Sequence, residues 1–141
     1  MVISYFQNHA VTITYDDELL LGTAVWNGFL SNEGFKEATQ ACMQLIEEKK
    51  LLRWLGDNRK LRAIRQADQD WFVENIVPRM VASTLRLHAT LVSEDLFNKM
   101  AVEQIVKRAG NLGDMVVKEF EDYAQAIAWL KEPIRITEEQ V

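Results

Sequence analysis

The sequence lacks most of the residues that announce a familiar chemistry. It has a single cysteine, Cys42, so no internal disulfide can form, and a reducing cytoplasm is the expected compartment. Of its two histidines, His9 and His88, neither has a cysteine or acid at metal-ligand spacing, and neither has the partners of a catalytic triad. There is no CxxC pair, no glycine-rich phosphate loop and no GxSxG turn. The expectation is therefore a non-enzyme with no catalytic residues, no metal site and no cofactor. No run approaches the ~18 apolar residues of a membrane span, so membrane insertion is not expected. Met1–Gln7 has neither the basic start nor the long apolar core of a signal peptide. Basic residues are outnumbered, 16 Lys and Arg against 21 Asp and Glu, and the net charge of −5 argues against a nucleic-acid partner.

What is present fits one soluble domain. The 141 residues are 48% hydrophobic and 26% charged, enough to bury a core without metal or disulfide support. Residues 1–132 are read as a single domain and 133–141 as a mobile polar tail. Val11–Tyr15 alternates apolar and polar, and Leu19–Trp26 is apolar on both faces. With Asp16-Asp17-Glu18 as a turn, the two predict an antiparallel hairpin closed by Asn27-Gly28. Ser31 is a credible cap for a helix whose stripe is Phe35, Ala38, Cys42, Leu45 and Ile46. Cys42 lies on that stripe and reads as a small core residue.

Leu51–Leu55 predicts a central strand, followed by a polar loop from Asn58 to Gln66 that carries Arg59, Lys60, Arg62 and Arg65. A helix over 67–83 follows, kinked at Pro78, which has no N–H to donate. Arg86–Val92 predicts a strand, Ser93–Ala109 a helix ended by Gly110–Gly113, and Met115–Phe120 a last strand. Asp122 caps a final helix with Tyr123, Ala126, Ile127 and Leu130 inward, stopped by Pro133. The result is an α/β fold: a mixed, mostly parallel sheet of about five strands, with an N-terminal antiparallel hairpin and four helices.

This order of elements, together with Trp54-Leu55-Gly56-Asp57-Asn58-Arg59, Asp70-Trp71 and Val77-Pro78-Arg79, resembles the bacterial SpoIIAA-like (STAS-like, STAS/SEC14 domain) proteins over about Val11 to Leu130. The resemblance implies a STAS-like sheet with ligand or partner contacts near the strand ends. Anti-sigma-factor antagonists carry a phosphorylatable serine at the start of the helix after the central strand. Here that stretch reads Gln66-Ala67-Asp68-Gln69-Asp70, without Ser or Thr, so a kinase-driven switch of that kind is not expected.

The candidate ligand- or partner-binding residues are Asp57, Asn58, Arg59, Arg62, Asp70 and Trp71. Strand ends in parallel sheets open into a crevice, where Asp57 can take loop N–H groups and Arg59 can fork onto an anion. The plainer alternative is that Asp57 tethers its own loop and Arg59 pairs with a nearby acid. The leading functional expectation is a STAS-like regulatory or protein-interaction domain. The alternative is a small-molecule or lipid-binding module with an apolar pocket under the Trp71 helix. Trp71–Val81 carries more apolar surface than one sheet face can cover, so a homodimer through this helix is the expected outlet.

Overall fold

The computed structural model describes residues 1–30, 32–92, 107 and 112–134. Six strands form one sheet in chain order: β1 Val2–Gln7, β2 Val11–Asp16, β3 Leu21–Leu30, β4 Arg53–Ile64, β5 Leu87–Leu91 and β6 Val116–Phe120. The first three are an antiparallel meander, and β3 to β6 run parallel. Four helices are described: α1 Asn32–Lys49, α2 Gln66–Asn75, α3 Val77–Ala82 and α4 Tyr123–Leu130.

The sheet is covered on both faces, and strand alternation decides what each face receives. Trp54 packs with Val11, Ile13 and Ala24 against Cys42, Met43 and Ile46 of α1 and Met80 of α3. Leu55 points the other way, into Leu21, Ala89 and Leu91 with Ala126 and Leu130 of α4. Where β3 passes Trp54 only glycine fits, since a Cβ on Gly22 would sit 2.3 Å from the indole Cζ3. Helix α1 ends with Lys50 in the left-handed region (φ 52°), and the Leu51 N–H donates to the Ile46 carbonyl at 3.1 Å. Arg53 ties the end of α4 to the β2–β3 turn, donating to the Leu130 and Leu19 carbonyls.

Four expectations need correction. The sheet has six strands where about five were expected, because Val2–Gln7 adds one at the sheet edge ahead of the predicted hairpin. The polar loop expected from Asn58 is strand: β4 runs on to Ile64, paired with β3 as far as Leu30. Two irregularities, between Val25 and Asn27 and between Gly28 and Leu30 of β3, give β4 an extra residue each time. The single helix over 67–83 is divided at Ile76, and Pro78 stands in the first turn of α3, where its missing N–H breaks no ladder bond. Tyr123 does not face the core; it is 49% exposed, while Asp122 caps α4 by accepting from the Ala124 N–H at 2.9 Å. Ser31, the helix expected over 93–109 apart from Lys107, its Gly110 stop, and tail residues 135–141 lie outside the described residues.

Candidate functional site

The pairing of β4 with β5 and of β5 with β6 ends on one line, at Asp57, Leu91 and Phe120. Asp57 is 7% exposed and holds Arg59 by a two-toothed contact, accepting from Nε at 3.0 Å and Nη2 at 2.8 Å. It also accepts from the Arg59 backbone N–H at 3.2 Å. Burial pushes the Asp57 carboxyl up. The hydrogen bonds from Arg59, with the charges of Arg59 and Lys60, outweigh burial and hold it below the ordinary carboxylate range. The Arg59 guanidinium lies 5.9 Å from the Tyr123 ring, so the pair sits on the α4 face at that helix's start.

The other face of the same strand ends carries a cavity of about 140 Å³ between the sheet and helices α1 to α3. Its walls are apolar and rich in rings, among them Trp26, Phe35, Trp54 and Phe72. Its floor is not. Asn58 on β4 and His88 and Thr90 on β5 all line it, with Gly56 among them. Strand register explains the grouping, since Trp54 pairs with His88 and Gly56 with Thr90, and Asn58 follows two residues on. A Cβ on Gly56 would lie 3.8 Å from His88 Nε2 and 3.9 Å from Asn58 Oδ1, so the missing side chain leaves open the space between these two groups. Asn58 is 8% exposed and Thr90 6%, and neither side chain has a hydrogen-bond partner among the described residues. Burial lowers the His88 imidazole to about 4, which keeps it neutral at pH 7, and pushes the Cys42 thiol up. Among the described residues, no Asp, Glu, Lys or Arg lines the cavity.

The six expected residues are therefore not one surface. Asp57 and Arg59 are on the α4 face, whereas Asn58 faces the cavity. Arg62 is exposed on the part of β4 beyond its last pairing with β5. Asp70 is on α2, where it accepts from Gln66 Nε2 at 3.0 Å. Trp71 stands outside the cavity, edge-on to Phe35 at 6.3 Å, with Lys36 Nζ 5.4 Å from its ring centre. Val77, counted toward a dimer face, is buried in the chain, and Val73 is half-buried. The sequence reading passed over Gly56, His88 and Thr90. The signal for two of them was the polar run Arg86, His88, Thr90 at every second position of a parallel strand, where both faces should be covered.

Among solved structures the chain is similar to an uncharacterised protein of the DUF3478 family with a SpoIIAA-like fold, from Shewanella loihica PV-4. The TM-score is 0.56 at 16% identity, covering 89% of this chain and 97% of that one. The fold is thus SpoIIAA-like: a mixed, mostly parallel sheet with an antiparallel N-terminal hairpin and covering helices. No family model and no curated protein matches the sequence. Among the described residues, no helix is long and apolar enough to cross a membrane, and no three His, Cys, Asp or Glu side chains gather as a metal group.

Proposed function

We propose that this protein is a non-catalytic, SpoIIAA-like binding module that holds a small molecule in the cavity between the sheet and α1 to α3. The observation that carries this reading is the polar floor. Two buried side chains, Asn58 and Thr90, face a largely apolar space beside His88, without a hydrogen-bond partner among the described residues. An unpartnered buried polar group costs ~1–3 kcal/mol, and a ligand or bound water that supplies the partner recovers part of that. Apolar walls with a few converging polar groups are the usual make-up of ligand sites.

Catalysis has less support. Burial raises the thiol of Cys42 and lowers the imidazole of His88, opposite to the shifts that make a thiolate–imidazolium pair. The Asp57–Arg59 pair is engaged with itself, which favours a tethering role for it over capture of an anion.

A screen of fragments of one to two rings, spanning acids, bases and neutral molecules, tests the reading by amide chemical shifts of the full chain. Binders are expected to move the Gly56, Asn58, His88 and Thr90 amides together. A screen in which no class of fragment moves them refutes the binding-module reading.

A further inference from the structure

Resting on that reading, we infer that the cavity takes a neutral, single-ring aromatic molecule bearing a hydroxyl or a similar group that both donates and accepts a hydrogen bond, a phenol-like ligand.

Size sets the first limit. The cavity is about 140 Å³, and apolar protein cavities of about 150 Å³ accept one benzene ring. Drug-sized sites begin at about 300 Å³, so an acyl chain or a fused polycycle does not fit as the space stands.

Charge sets the second. A carboxylate or ammonium moved here would lose its hydration and meet no counter-charge among the described residues, where the titratable groups facing the space are His88 and Cys42. The polar floor sets the third. Asn58 offers an amide oxygen and an NH2, Thr90 a rotatable hydroxyl, and neutral His88 one donor and one acceptor nitrogen. A bare hydrocarbon ring would leave all of these unanswered, whereas a hydroxyl directed into the space over Gly56 enters a place that Asn58 Oδ1 and His88 Nε2 both border. The fourth is the wall. Trp26 and Phe72 both pack about Phe35, with ring centres 6.2 and 6.0 Å away, so a flat ring meets aromatic faces and edges.

Calorimetric titration of the full chain at pH 7.5 with phenol, benzene, cyclohexanol and benzoate is the test. Phenol is expected to bind at least tenfold tighter than benzene and cyclohexanol, and benzoate not to bind. The Asn58→Leu variant should bring phenol and benzene to within a factor of about two. Gly56→Ala keeps ordinary contact distances, so it should fold, and its methyl should abolish or weaken phenol binding at least tenfold. Benzene, cyclohexanol or benzoate binding as tightly as phenol overturns the ligand class and leaves the binding-module reading standing. Phenol binding unchanged in Gly56→Ala overturns the placement. Failure of all four probes, with no fragment from the wider screen moving the floor amides, removes the binding-module reading itself.

Discussion

Acidification from pH 7 to pH 4 should remove part of the protein's stability through His88. Burial takes this imidazole from an ordinary 6.5 to about 4. Between those values the unfolded chain binds the proton and the folded chain does not. The contribution is therefore fully present above about pH 6.5 and is lost as the pH falls through about 4. At about 1.36 kcal/mol per unit the full window is worth ~3 kcal/mol, and because His88 retains some accessible surface the expected loss is nearer ~2 kcal/mol. Among the described residues that line the cavity, Cys42 is the other titratable group, and its raised thiol keeps its proton throughout this range. Asp16 and Asp57 sit below the ordinary carboxylate range, so what they contribute is lost only under about pH 4. Urea midpoints followed by tryptophan fluorescence at pH 7, 6, 5 and 4.5 should fall more steeply for the natural chain than for His88→Gln. Parallel curves for the two proteins would refute the argument, because the imidazole would then be taking its proton in the folded state without cost.

Asp57→Ala should cost ~1–3 kcal/mol by denaturant midpoint, since it strands the Arg59 guanidinium and a backbone N–H; an unchanged midpoint would show that the pair holds nothing together. Gly22→Ala should cost ~1–3 kcal/mol or more and shift the tryptophan emission, because its methyl would occupy the space of the Trp54 ring; a native-like midpoint and spectrum would mean that the indole moves aside freely. A homodimer through residues 71–81 should show as a dimer mass by light scattering at tens of micromolar that falls to a monomer mass in Trp71→Glu. A monomer mass in the natural chain sinks that contact.

The parts of the fold that were legible are those where one period dominates. The α1 stripe from Phe35 to Ile46 is buried as its spacing predicts, and the hairpin pairs Val11 with Trp26 and Asp16 with Leu21. The parts that were not legible depend on a neighbour. Arg59, Lys60 and Arg62 look like loop residues because charge is common in loops, yet β3 provides hydrogen bonds as far as Leu30 and holds them in a strand. Pro78 looked like a kink inside one helix. Tertiary packing instead buries Ile76, Val77 and Met80 around a break, and the proline becomes the start of a new helix.

The divided site follows from the same cause. Read as loop, Asp57, Asn58 and Arg59 have no fixed direction and can all be imagined around one crevice. Read as strand, they must alternate: Asp57 and Arg59 share the α4 face, and Asn58 takes the opposite one. Their functions separate with their faces. The charged pair answers its own hydrogen bonds and closes the α4 side. Asn58 is left, with Thr90 from the next strand, on the side where packing does not close, because Gly56 brings no side chain to fill the space. Replacing Gly56 is therefore the change that separates a packing role from a binding role. A methyl there touches His88 and Asn58 at ordinary distances, so it should leave stability near its natural value while taking the ligand's place.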